Sequence, residues 1–109
     1  MVMTYPAVRM PKLKPAHPGE ILREDVLPSL KISVVEVART LGVSRQLLHG
    51  VMAGRAGVSA DTALRLGRYF SNSPQFWLNL QGQFDIAMAE RKHGEDIKKR
   101  VHPANAACV

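Results

Sequence analysis

The chain has 109 residues, 46% hydrophobic and 22% charged, which fits one globular domain with a modest core and excludes both disorder and two full domains. Lys and Arg number 15 against 9 Asp and Glu, a net charge of +6; this suits a polyanionic partner through phosphate attraction and counterion release, although charge alone does not distinguish that from a merely basic protein. The single cysteine, Cys108, excludes an internal disulfide, and with four scattered histidines it gives no metal-site spacing and implies no cofactor.

Residues 1–16 carry Pro6, Pro11 and Pro15 among Arg9, Lys12 and Lys14. Proline restricts the chain and removes backbone donors, so an extended N-terminal arm is expected, in which Tyr5–Met10 could form a short strand. No apolar segment follows these basic residues as in a secretory signal, and no run approaches the ~18 residues of a membrane span. A cytoplasmic, nucleoid-associated protein is the expectation.

A first helix is predicted from His17-Pro18-Gly19-Glu20, with Pro18 in the first turn, Glu20 at the positive end of the dipole, and a stop before Pro28. Ser33-Val34-Val35-Glu36 matches a capping box and starts a second helix, whose Val34, Val37, Ala38 and Leu41 recur at helical spacing up to Gly42. A third helix opens at Ser44 and runs to about Ala53. A fourth begins at Ser59, with Asp61 in its first turn, and reaches Phe70. A fifth begins at Ser73-Pro74, carries the stripe Trp77, Leu80, Phe84 and Met88, and runs past Glu90. The segment from 94 to 109 reads as a polar C-terminal tail, leaving 17–93 as the domain. Five helices without a convincing alternating run make an all-α bundle.

Residues 33–54 read as more than two helices. Leu41-Gly42-Val43-Ser44 is a tight, glycine-containing connection, and Ala38 supplies the small residue needed where helices cross closely; together these are the features of a helix-turn-helix. At 100° per residue, Leu47, Leu48, Val51 and Met52 of the third helix share a buried arc. Gln46, His49, Gly50 and Ala53 fall opposite, with Arg45 beside them and no carboxylate on that face. Arg45 can bond guanine O6 and N7 in bidentate fashion, and Gln46 can bond adenine N6 and N7. Ser44 and the free N–H groups of the helix start can hold a phosphate. His49 could reach a base edge or phosphate, Gly50 would permit close approach, and Arg39 and Arg55 flank the face as candidate phosphate contacts.

These residues, together with His17-Pro18-Gly19-Glu20-Ile21-Leu22, Leu27-Pro28, Val37-Ala38, Leu41 to Gln46, Ala63-Leu64-Arg65-Leu66, Trp77-Leu78-Asn79-Leu80-Gln81 and Phe84-Asp85, resemble the HigA-type antitoxins over roughly residues 17–90. The resemblance implies a Cro/repressor-like helix-turn-helix fold and a homodimer that binds a palindromic operator in double-stranded DNA. It also implies an antitoxin that neutralises a RelE-like, mRNA-cleaving toxin and represses the shared operon. The family's reading positions fall on Ser44, Arg45 and Gln46. Position 47 is often small or polar in such proteins and position 50 often carries a long polar side chain; here they are Leu47 and Gly50, which leaves the middle of the reading helix sparse.

A dimeric helix-turn-helix protein reads half-sites about one turn of DNA apart, and Trp77, Leu80, Phe84 and Met88 are the expected dimer surface, with Trp77 alternatively closing the monomer core. The acidic residues Glu20, Glu24 and Asp25, or the N-terminal arm, are candidate toxin contacts. A stand-alone transcription regulator of the same fold is the alternative. No His-Glu-x-x-His or other catalytic constellation is present, so no enzymatic activity is expected.

Overall fold

The computed structural model describes residues 16–104. Residues 1–15, with the strand considered at Tyr5–Met10, and Cys108 lie outside them. Among the described residues every regular element is helical. The chain runs through α1 (Pro18–Ile21), a π-helical turn (Leu22–Val26), α2 (Leu27–Leu30), α3 (Val34–Leu41), α4 (Arg45–Met52), α5 (Ala60–Phe70) and α6 (Pro74–Arg100). The first three pieces form one continuous helical segment, so the expected five-helix, all-α bundle is what the chain builds.

That first segment departs from expectation at Pro28, where the helix continues instead of stopping. Proline has no N–H to give a carbonyl four residues back, and its ring crowds that carbonyl. The π-helical turn widens the spiral ahead of it: Leu27 N–H bonds Leu22 O, and Pro28 then occupies the first turn of α2, where a missing donor costs little. The segment ends at Lys31, in the left-handed region at φ 58°.

Every other helix starts on a serine that performs the cap its sequence suggests. Ser33 Oγ accepts from the Glu36 amide at 3.1 Å, Ser44 Oγ from Leu47 at 3.0 Å, and Ser59 Oγ from Thr62 at 3.2 Å. Ser73 Oγ accepts from both Gln75 and Phe76. The capping box at Ser33 is one-sided, however. The Glu36 carboxylate turns along the helix to Arg39 at 2.9 Å instead of reaching back.

Leu22, Val37, Val51, Leu66 and Trp77, each 1% exposed, form the centre of one core with Leu41, Leu48, Val58 and Ala63. At ~25 cal/mol per Å2, burying such side chains stabilises by roughly 1.5–3 kcal/mol each, which sets the relative positions of the first helical segment, α3, α4, α5 and α6. Trp77, a candidate for the dimer surface, is in this protomer core. Its indole N–H donates to Asn72 Oδ1 at 2.9 Å, and Phe76 meets its ring edge-on with centroids 5.1 Å apart. The core closes over it because α5 and α6, joined by the short turn at 71–73, pack on each other more extensively than any other pair.

The later part of α6 leaves the core. The helix crosses Gly94, where a polar tail was expected, and reaches Arg100. Glycine costs a helix only ~1 kcal/mol, and helix-forming neighbours offset it. The Arg100–Asp96 pair (3.1 Å) and the basic last turn Lys98-Lys99-Arg100 favour continuation at the negative end of the dipole.

Candidate nucleic-acid interface

The helix-turn-helix is built from α3, the turn at 42–44 and α4. Two kinds of constraint hold its angle. Gly42 ends α3 at φ 78°, a conformation that costs a residue with a Cβ ~1–2 kcal/mol, and its N–H returns to Ala38 O and Arg39 O. Ala38, 2% exposed, keeps the crossing close, and half-buried Val43 packs against the core beside it.

Two braces were not anticipated from sequence. Arg65 on α5 donates through Nη1 to the carbonyls of Leu41 at 2.9 Å and Gly42 at 3.3 Å, while its Nε pairs with Asp61 at 2.8 Å. It therefore satisfies carbonyls at the open end of α3 and fixes the turn to α5. A side chain on Gly42 would meet this guanidinium, with a Cβ 2.7 Å from Nη1. At the far end of α4, Arg23 donates to Met52 O. Gly19 of α1 approaches so closely that a Cβ there would lie 1.7 Å from Val51 O. The signals in the sequence were the i,i+4 spacing of Asp61 and Arg65 on α5 and a glycine inside a helix start, neither of which names the distant partner.

With both ends fixed, α4 divides as expected at most positions. Leu48 and Val51 are buried, and Leu47 and Met52 half-buried. Arg45, Gln46, His49 and Ala53 are exposed together on the outer face, with the exposed Ser44 at its start. Gly50 is the exception, since it is buried and does not contribute to the outer face. After α4 the chain folds back on itself: the amides of Arg55 and Ala56 donate to Gly50 O at 2.8 and 3.0 Å, and Ala56 lies over Gly50. The returning loop thus covers Gly50, with Ala56 Cβ 3.4 Å from where a Cβ would stand.

Arg55 is exposed on that loop, adjacent to the outer face in sequence and held by the same carbonyl. Among the described residues the ion pairs are Arg23–Glu24, Arg39–Glu36, Arg65–Asp61 and Arg100–Asp96. Arg45 and Arg55 thus enter no pair among them, whereas Arg39, though exposed, is already engaged with Glu36. The face that α4 presents is cationic, carries amide and imidazole groups, and has no carboxylate of its own.

The loop after α4 is tied back to α6. Gln81, 8% exposed, accepts from Val58 N–H at 2.8 Å and donates to Asp85 at 3.0 Å. His17, 7% exposed, caps α1 by accepting from Gly19 N–H through Nδ1 at 2.9 Å and meets Phe84 edge-on at 4.9 Å. Desolvation by burial lowers the His17 pKa, against the raising influence of Asp85, the Ala56 backbone and Glu20. Gln81 lies four residues after Trp77, on the buried stripe of α6, so a polar residue at an apolar position was the signal for it.

Of the other expected dimer residues, Leu80, Phe84 and Met88 are half-buried in the protomer. Ile86 (63% exposed), Ile97 (50%) and, at the C-cap, Val101 (65%) are the large apolar groups left open along α6 and at its end. Glu20, Glu24 and Asp25 are exposed on the first helical segment, with Glu24 paired to Arg23. No group of three or more metal-ligating residues converges among the described residues, and none of their helices is long and apolar enough to cross a membrane.

No protein-family model matches the chain. Over 75 residues, 69% of this chain and 69% of the relative, it is 45% identical to virulence-associated protein I of Dichelobacter nodosus. Among solved structures, the Pseudomonas aeruginosa antitoxin HigA with the higBA promoter superposes with a TM-score of 0.78 at 44% identity, over 82% of this chain and 97% of that one. An addiction-module antidote protein of the HigA family from Coxiella burnetii superposes with a TM-score of 0.79 at 41% identity, over 84% and 100%.

Proposed function

The chain belongs to the HigA-type antitoxin family of helix-turn-helix proteins, and on that premise we propose that it binds an operator in its own promoter as a homodimer, represses that operon, and neutralises a RelE-like toxin encoded beside it. The observation that carries the DNA-binding part is the outer face of α4: Ser44, Arg45, Gln46 and His49 exposed together, without a carboxylate, on a helix fixed at both ends. The relative solved with the higBA promoter supports the same assignment.

In this reading α4 lies in the major groove. Arg45 takes a guanine edge and Gln46 an adenine edge, each bidentate, while Ser44 and the first amides of α4 meet a phosphate. His49 contacts a base edge or phosphate further along. Arg55 binds a phosphate on one flank, and Arg39 does so on the other after leaving Glu36. With Gly50 buried and Leu47 turned inward, base reading is concentrated at the start of the helix. Nothing in this scheme calls for a metal, a cofactor or catalysis.

Dimerisation is assigned to α6. The half-buried Leu80, Phe84 and Met88 remain partly open to a second copy, and the exposed Ile86, Ile97 and, just past the helix, Val101 extend that apolar surface. The toxin is assigned to the first helical segment, where exposed Glu20 and Asp25 offer negative charge to a basic partner.

One titration tests the whole reading. Purified protein is added to labelled DNA from upstream of its own gene, with and without the product of the neighbouring frame. A specific shift that competes away with the same sequence but not with unrelated DNA, together with a complex between the two proteins, is the expected outcome. A specific shift with no toxin-like neighbour indicates a stand-alone regulator, and no sequence preference rejects the proposal.

A further inference from the structure

We propose that Gln81 is a positioning residue for DNA binding: from α6 it holds the loop after α4 in the form that brings Arg55 to the DNA backbone. The inference rests on the DNA-binding reading above and assigns a role in it to a residue that does not itself reach the face of α4.

The loop between Met52 and Ala60 has no regular structure, so its shape depends on where its amides find acceptors. Arg55 and Ala56 use Gly50 O, and Gly54 uses Val51 O. Val58 N–H has a side-chain acceptor instead, Gln81 Oε1 at 2.8 Å, twenty-three residues further along the chain. Because Gln81 is 8% exposed, water is a poor substitute on either side of this bond.

The orientation of the amide is chosen by a neighbour. Asp85, as a carboxylate, can only accept, so Gln81 Nε2 must face it (3.0 Å) and Oε1 must face Val58. The loop also rests directly on this group: a Cβ at Gly57 would stand 3.2 Å from the Gln81 amide carbon. The Ala56 amide is held by Gly50 O and the Val58 amide by Gln81, so the loop is tied on both sides of Gly57, immediately after Arg55. Loss of the Gln81 bond frees the side of the loop that sets where the Arg55 guanidinium stands.

Fluorescence anisotropy of the full chain on its own promoter DNA, over a series of salt concentrations, separates this role from simple support of the core. Gln81→Met retains length and apolarity but removes both hydrogen bonds. It is expected to weaken binding about three- to tenfold and to lower the salt slope by roughly one unit, the loss of one phosphate contact. Gln81→Met combined with Arg55→Ala should bind no more weakly than Arg55→Ala alone, because both remove the same contact. Gln81→Glu with Asp85→Asn exchanges donor and acceptor while retaining an acceptor for Val58, and should restore the slope. If Gln81→Met does not fold, Asp85→Ala tests the same device from an exposed position, since it frees the amide to flip and should lower the slope in the same sense.

An unchanged slope in the folded Gln81 or Asp85 variant, or additive effects with Arg55→Ala, overturns the proposal while leaving the DNA-binding reading intact. An unchanged slope in Arg55→Ala itself removes the phosphate contact and the proposal with it. Absence of any specific binding by the unsubstituted protein is the distinct failure of the underlying function.

Discussion

Arg65 Nη1 donates to the backbone carbonyl of Leu41 at 2.9 Å, so that a side chain on α5 closes the end of α3 and holds the turn leading into the reading helix. The same nitrogen reaches Gly42 O, while Nε pairs with the exposed Asp61. Two backbone acceptors and a turn depend on this one guanidinium. Arg65→Met should therefore lower stability by about 1–2 kcal/mol, whereas Asp61→Asn, which removes only a solvated pair, should cost less than ~0.5 kcal/mol. Gly42→Ala should cost at least as much as Arg65→Met, since it adds left-handed backbone strain and displaces the guanidinium. Urea unfolding of the three variants measures the order, and a larger loss in Asp61→Asn than in Arg65→Met would contradict it.

Gly19 is the least tolerant position on the first helical segment. A Cβ there meets backbone atoms of Val51 and Met52, which cannot move aside as a flexible side chain can. Gly19→Ala should cost more than about 3 kcal/mol or prevent folding, despite the gain of ~1 kcal/mol that alanine normally brings to a helix. Circular dichroism during thermal melting checks this; a variant as stable as the parent would mean that α1 and α4 do not approach as closely as described.

Stability should fall in mild acid because of His17. Desolvation by burial holds its folded pKa below the ordinary value of ~6.5, and its Nδ1 accepts from Gly19 N–H, a role a protonated Nδ1 cannot fill. The unfolded chain therefore binds more protons between the two pKa values. The His17 contribution is complete above the unfolded pKa and is lost as pH falls through the lowered folded one. The urea midpoint should decrease from about pH 7.5 to about pH 5, and His17→Asn, which retains a capping acceptor without a titrating group, should show a smaller decrease. Equal decreases in both proteins would place the sensitivity elsewhere.

Arg45 and Arg39 should behave differently on DNA. Arg45→Ala is expected to cost ~1–3 kcal/mol and to relax preference at one base position in each half-site. Arg39 is already held by Glu36, so Arg39→Ala should do less, and Glu36→Gln should strengthen binding to all sequences by releasing the arginine and removing a negative charge. Competition titrations with substituted operators report both effects. A uniform loss across sequences for Arg45→Ala would assign that residue to a phosphate.

The two kinds of apolar residue on α6 should also separate. Trp77→Ala removes a core side chain and should cost about 3–5 kcal/mol of protomer stability. Ile86→Glu with Ile97→Glu touches open positions and should leave the protomer folded but shift it from dimer to monomer in light scattering. A folded dimer carrying both glutamates would move the second copy to another surface.

The helix starts, the tight turn and most of the outer face of α4 were legible in the sequence because they depend on local chemistry. A serine followed by helix-forming residues caps wherever it stands, and a 3.6-residue period assigns Leu48 and Val51 to one side and Arg45, Gln46 and His49 to the other. Local rules failed where a distant backbone competed. Gly50 belongs to the outer side by angle, but the returning loop covers it; for Trp77 the stripe allowed either a dimer surface or the protomer core, and packing against α5 decided for the core. Pro28 should end a helix, and a widened turn accommodates it.

What the sequence alone determined, then, was the set of helices, the class of fold and the residue types offered by the reading helix, all properties of residues within a few positions of one another. Tertiary structure alone decided how that helix is held. Arg65 reaches Leu41, Arg23 reaches Met52, Gly19 touches Val51, and Gln81 fixes Val58. Each of these joins segments far apart in the chain, where no periodicity links the partners and only packing brings a donor to its acceptor.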